Sequence, residues 1–233
     1  MAIDYDVYYW PTPNGWKVTI LLEELDAPYN IVPINIGAGQ QFDPEFLKIA
    51  PNNRMPALVD HAPMGGGGAI SIFESGAILQ YLAEKHGRFW PQSPREKYEV
   101  SQWLFWQMGG LGPMAGQAHH FRQYANDKID YAIDRYTDEV NRLYGVMNKR
   151  LADRAFLAGD YSIADMACYG WIVPYERQGQ DLSDFPNLKR WFETLKARPA
   201  VQRGRHAGAD LRDDGGTMTE EAKKILFGQR AMA

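Results

Sequence analysis

Two domains follow from this sequence: an α/β domain of order βαβ–ββα and, after a short linker, a domain made only of helices. Three observations carry that prediction. Strand and helix signals alternate up to residue 87. From Arg95 onward the apolar residues recur only at helical spacing. The chain has 233 residues, 45% of them apolar, which suits two cores and argues against a disordered chain.

The elements follow in order. Tyr5 to Trp10 is rich in aromatic residues and meets Pro11, which reads as a short strand closed by a turn. Thr12-Pro13-Asn14-Gly15 then opens a helix with Val18, Leu21, Leu22 and Leu25 at helical spacing. Pro13 suits the first helical position, where an N–H would have no helical partner. Asn30 to Ile36 reads as a second strand, so strand, helix and strand form a parallel pair with a crossover. A short helical piece is expected around Pro44 to Ile49. Ala57 to Asp60 and Ala69 to Ile72 read as a hairpin that turns at Gly65 to Gly68, and Ser75 to His86 as a helix stopped by Gly87. This order is the thioredoxin-like arrangement, and it is expected over residues 1–87, with a linker at 88–94 and the helical domain at 95–233.

Within the second domain, Ser101 to Met108 is dense in Trp and Phe, and Gly109-Gly110 with Gly112-Pro113 should bend or break that helix. Ile129, Ile133, Tyr136, Val140, Leu143, Met147 and Leu151 mark a long amphipathic helix. Ser162-Ile163-Ala164-Asp165 is a helix-start signature in which Ser caps and the acid reaches back. A helix from Pro186 to Ala197 ends before Pro199. Residues 212–219 are polar and glycine-rich, and Glu220 to Phe227 is a last helix that either packs on the body or frays.

Composition narrows the partners. The formal net charge is −4, so there is no basic surplus to neutralise a nucleic-acid backbone. Cys168 is the one cysteine, which rules out an intrachain disulfide and fits a reducing compartment. The first residues carry neither the charge nor the apolar run of an export signal. No run of about 18 apolar residues is present to span a membrane. The expected address is cytoplasmic.

Three short constellations carry the chemistry. Met55-Pro56 opens the third strand. A cis proline there would turn the Met55 N–H and C=O outward to pair with an extended peptide; an ordinary proline at a strand start is the alternative. Glu74-Ser75 heads a helix, whose N-terminus attracts a carboxylate while Glu74 supplies charge for an ammonium group. Alone the pair reads as a cap, but Met55-Pro56 precedes it at the spacing a hairpin gives. Thr12-Pro13-Asn14-Gly15 sits at a strand's carboxyl end, where ligands of α/β sheets gather, though taken alone a turn with a helix cap explains it better. Together these groups suit a small peptide thiol, whose thiolate gains from donated hydrogen bonds at a helix N-terminus.

These motifs, with Asn52 to Asp60, Phe73 to Ile78 and Tyr161 to Asp165, resemble a glutathione transferase. Gln102 to Gln107, Gly109 to Pro113 and Tyr131 to Tyr136 narrow the resemblance to the bacterial Nu class. The resemblance implies glutathione bound along Met55 and Pro56, with its γ-glutamyl end at Glu74 and Ser75. It implies Thr12 and Asn14 near the sulfur, Gln41 and Arg54 as further contacts, and Arg135 contributed by the partner in a homodimer. Arg54 stands where Lys is frequent, with the charge kept. The implied activity is glutathione-dependent disulfide reduction, with glutathione or its disulfide in the cleft, a small disulfide as substrate and no metal. The alternatives are a transferase that conjugates electrophiles and a non-catalytic glutathione-binding protein. Tyr8 and Tyr9 are read as packing residues rather than as activators of the thiol, and Cys168 as core.

Overall fold

The computed structural model describes residues 4–211 and 218–229. They divide into two compact units, one comprising the residues up to Tyr81 with those from Arg203 onward, the other Leu82–Gln202.

The first unit begins with β1 (Tyr5–Tyr9), α1 (Pro13–Glu24), β2 (Tyr29–Pro33), α2 (Pro44–Ile49), β3 (Ala57–Asp60), β4 (Ile70–Phe73) and α3 (Ser75–His86). Its four strands form one sheet in the order β2-β1-β3-β4. β1 runs parallel to β2 and antiparallel to β3, and β3 runs antiparallel to β4. This is the predicted βαβ–ββα order. Tyr5, Val7 and Tyr9 of β1 are buried, as are Val18, Leu21 and Leu22 of α1. The second strand stops at Pro33 rather than Ile36. The Asn35 side chain accepts from the Gly37 and Ala38 amides (3.0 and 3.1 Å) and draws them into a 3-10 turn. β4 starts one residue later than expected.

The helical unit holds α4 (Pro94–Trp106), α5 (Gly112–His119), α6 (Asp130–Arg150), α7 (Ile163–Ile172), α8 (Pro186–Lys196) and the start of α9 (Pro199–His206). α4 begins at Pro94, earlier than the aromatic cluster suggests, because Ser93 Oγ caps it by accepting from Glu96 N–H (3.3 Å). The glycines at 109, 110 and 112 do not break the chain. It passes through a π-helical turn, Gln107–Leu111, straight into α5, and Pro113 falls in the first turn, where its missing N–H costs nothing. The Ser162 capping box is present at the head of α7. Its Asp165 is fully buried and accepts from Leu157 N–H (3.0 Å), Ser162 N–H (3.1 Å) and Trp191 Nε1–H (2.8 Å). Burial pushes that carboxyl up to about 6 in spite of these bonds. Cys168 is buried in α7.

The first unit takes in the residues from Arg203 onward, and the division near its other end falls within α3. From Arg203 the chain packs on α1, and Gly204 is the reason. A Cβ there would lie 2.5 Å from Ile20 Cα, so only glycine lets the two backbones meet. Thr19 Oγ1 donates to Gly204 O (2.6 Å), Tyr9 OH to Ala207 O (2.9 Å) and Arg203 Nε to Glu23 Oε2 (2.6 Å). Of the polar, glycine-rich stretch 212–219, residues 212–217 lie outside the described residues. α10 (Glu220–Phe227) packs on the Ile36–Ala38 turn of the same unit, with Ala222 beside Gly37 and Ile225 beside Gly39.

Candidate functional site

At the first edge of the site, Thr12 caps α1. Its Oγ1 accepts from Gly15 N–H (3.2 Å), and its own proton points to Met55 Sδ (3.6 Å). Gly15 is where helix and Met55 meet. A Cβ there would stand 2.4 Å from Trp10 O and 3.0 Å from Met55 Cε. Asn14 follows the cap, one residue into the helix.

The centre is the Met55–Pro56 bond, which is cis. The Met55 side chain is anchored among Ile34, Phe46, Ala50 and Ala57, with Tyr8 and Trp10 packed alongside. Tyr8 lies against Phe46, with ring centroids 5.8 Å apart, and Tyr9 is fully buried, so both are packing residues, as expected.

The far edge is the β4–α3 junction. Glu74 adopts φ 69°, a left-handed conformation unusual for a glutamate. Its carbonyl accepts the first bond of α3, from Ile78 N–H (3.0 Å), and its exposed carboxylate accepts from Asn52 Nδ2 (3.3 Å). Ser75 opens the helix and is buried, and Lys17 Nζ of α1 donates to its Oγ (3.3 Å).

A cavity of about 260 Å³ joins these edges. It is lined by Asn14, Asn52, Arg54, Met55, Pro56, Phe73, Glu74 and Ser75. Six of the nine residues singled out from the sequence therefore share one cavity. Thr12 is outside the lining and contacts one lining residue, Met55, through its hydroxyl. Gln41 lies outside the lining. It is buried, and neither atom of its amide has a hydrogen-bond partner among the described residues. Arg135 is in the other unit, exposed on α6, 4.0 Å from Glu139. Arg54 Nη1 donates to Asn53 O (3.0 Å) and to Gln229 Oε1 just past α10 (2.8 Å).

Sequence reasoning missed Asn52, Lys17 and Gln229 as neighbours of the site. Lys17 left a readable trace, a lysine one turn before Leu21 on the apolar face of α1. Gln229 left none.

Chemically, the cavity offers a carboxylate and a helix N-terminus at the Glu74–Ser75 end and the Asn14 amide at the other. That matches the zwitterionic head of an α-amino acid on a short peptide.

Fold and cavity thus define a thioredoxin-like protein with a polar cavity beside the Met55–Pro56 bond. The chain belongs to the glutathione S-transferase family: the family's N-terminal domain matches residues 4–84 and its C-terminal domain residues 113–199. The disulfide-bond oxidoreductase YfcG of Escherichia coli K12 is 53% identical over 197 residues, 84% of this chain and 92% of the relative. A glutathione transferase from Pseudomonas putida, solved with one glutathione disulfide per subunit, superposes with a TM-score of 0.82 at 40% identity, over 87% of this chain and 90% of its own. A family member from Pseudomonas fluorescens Pf-5, solved with two glutathiones bound, gives a TM-score of 0.82 at 40% identity, over 87% and 92%.

Proposed function

We propose that this protein reduces disulfides with glutathione, the ligand supplying the reacting sulfur. One observation carries the reading. The cavity gathers groups that recognise a γ-glutamyl head and a thiolate, while the chain's one cysteine is buried in α7 and has no part in it. The glutathione thiolate attacks one sulfur of a small disulfide. A new S–S bond forms as the old one breaks, and the departing thiolate takes up a proton. A second glutathione thiolate then attacks the mixed disulfide, releasing the other half of the substrate and leaving glutathione disulfide. Glutathione is a co-substrate, and the scheme uses no metal.

In this reading Thr12 and Asn14 donate to the sulfur, Met55 pairs its backbone with the cysteinyl residue beside Pro56, and Arg54 faces a carboxylate of the peptide. Glu74 takes the γ-glutamyl ammonium, and Ser75 the neighbouring carboxylate. Gln41 satisfies its orphaned amide on a second glutathione or on the disulfide form. Arg135 comes from the partner of a homodimer. The exposed aromatics of the helical unit support that last assignment: Tyr98 and Phe105 lie two turns apart on α4, and Tyr131 is on the first turn of α6, close to Arg135. No helix among the described residues is long and apolar enough to cross a membrane. A lone buried thiol suits the reducing cytoplasm. The test compares glutathione-dependent turnover of 2-hydroxyethyl disulfide with that of an aryl halide. Faster disulfide turnover is expected. Faster aryl-halide conjugation would make the protein a conjugating transferase, and tight glutathione binding without either activity would make it a binding protein.

A further inference from the structure

Arg54 lines the cavity with an exposed side chain, and its guanidinium is held through one nitrogen only. Nη1 carries two hydrogens and meets three oxygens: Asn53 O (3.0 Å), Asn53 Oδ1 and Gln229 Oε1 (2.8 Å). Nε and Nη2 have no partner among the described residues. Those two atoms are the side-on fork of a guanidinium, whose parallel N–H groups match the two oxygens of a carboxylate. Gln229 belongs to the first unit, yet it lies past both stretches that match the family's domains. Its amide is fixed at both ends. Nε2 donates to Ile225 O (3.2 Å), which can only accept, and this turns the amide oxygen to the guanidinium, which can only donate. Ile225 sits in α10, whose first turn is capped by Thr219 Oγ1 accepting from Ala222 N–H (3.1 Å). Ala222 and Ile225 seat that helix beside Gly37 and Gly39. Resting on the glutathione reading of the cavity, we propose that Gln229 is a positioning residue, holding the Arg54 guanidinium so that its Nε–Nη2 edge takes the glycyl carboxylate of glutathione. The γ-glutamyl carboxylate is assigned to Ser75, which leaves the glycyl one for Arg54. A surface arginine has many rotamers to give up when it binds a ligand, and one pinned beforehand gives up fewer. Losing the Gln229 contact should therefore cost about what one hydrogen bond contributes, a factor of about two to ten in affinity.

The test is calorimetric titration of the full chain with two ligands: glutathione, and γ-glutamyl-cysteinyl-glycinamide, in which a neutral amide replaces the glycyl carboxylate alone. Gln229→Met keeps the length of the side chain without its amide oxygen. It should weaken glutathione by about two- to tenfold and the glycinamide by less than about twofold. In an Arg54→Met background the same substitution should leave glutathione affinity within about twofold, because the guanidinium it holds is gone. A merely structural part for Gln229, fastening α10, would weaken both ligands alike. Equal weakening of both, weakening of neither, or tighter glutathione binding overturns the proposal, and so does an undiminished effect in the Arg54→Met background. Gln229→Ala carries the same comparison if Gln229→Met does not fold. Wild-type protein that binds neither ligand would bring down the glutathione reading itself, and this inference with it. Wild type that binds both ligands equally tightly brings down this inference alone.

Discussion

Glu74 offers the sharpest test, because strain and recognition meet in one residue. It holds φ 69° at the β4–α3 junction, where an L side chain other than Asn pays about 1 kcal/mol for the contact of its Cβ with the backbone. Glu74→Gly removes that contact, and Glu74→Ala keeps it. Both delete the carboxylate and its bond from Asn52. Glycine should therefore give the more stable protein by about 1 kcal/mol, less whatever extra freedom its unfolded chain gains. In a protein of this size that is a melting temperature about 2–4 °C above the alanine variant. Affinity should respond differently. A charge-assisted bond to an ammonium group contributes about 1.5 kcal/mol where the acid is exposed, so both variants should bind glutathione about tenfold more weakly than wild type. Thermal unfolding and calorimetry on the three proteins give both readouts. A glycine variant less stable than the alanine variant would refute the strain, and wild-type affinity in either would refute the contact with the γ-glutamyl head. A residue that is worse than glycine for stability and better for binding is one the fold tolerates for its function.

The other predictions concern the sulfur end and the frame. Asn14→Ala should lower disulfide turnover more than glutathione affinity; equal loss in both would contradict a sulfur-directed role. Gly15→Ala places a methyl 2.4 Å from Trp10 O, which must displace the head of α1. It should cost about 1–3 kcal/mol in denaturant unfolding and lower turnover, with Gly204→Ala as a control that strains α1 away from the cavity lining. Asp165 titrates near 6 when folded and at 3.8 when free, so the native state holds its proton where the unfolded chain has lost it. Its contribution to stability is greatest below pH 4, falls by about 3 kcal/mol as pH rises through 6, and is flat above. Asp165→Asn should remove that slope, and an unchanged slope between pH 4 and 6 would refute the assignment.

Much of this was legible in the chain because local chemistry and final environment agree. The strand expected from Tyr5 to Trp10 is β1 as far as Tyr9, and the apolar stripe from Ile129 to Leu151 became α6, with its two end residues as the caps. Ser162 and Asp165 closed the box that their spacing announces. Met55-Pro56 and Glu74-Ser75 were readable for a different reason: a proline at a strand start and an acid with a hydroxyl at a helix head stand out along the chain, whereas the left-handed backbone of Glu74 left no trace in it. What was not legible depends on partners far away in sequence. Gly204 looks like any helix glycine until Ile20 lies against it. Gly109 and Gly110 read as breakers, yet a π turn absorbs them within a continuous helix. Gln41 and Arg135 entered through resemblance, and one chain alone does not bring either into the cavity lining.

The contact between Thr12 and Met55 explains how a site without its own thiol can be ready for one. The Thr12 oxygen is held in place by accepting from Gly15 N–H, so only its proton is free to choose a partner. In the unliganded chain that proton faces a thioether, among the weakest acceptors in proteins. A thiolate is a far stronger acceptor, because the bond becomes charge-assisted. Exchanging one sulfur for the other therefore gives up little and gains much, with no change in the cap that fixes the oxygen. The Thr12 hydroxyl is anchored through its oxygen by the cap of α1. In the proposed reaction the polypeptide's part is that prior orientation, and glutathione brings the nucleophile.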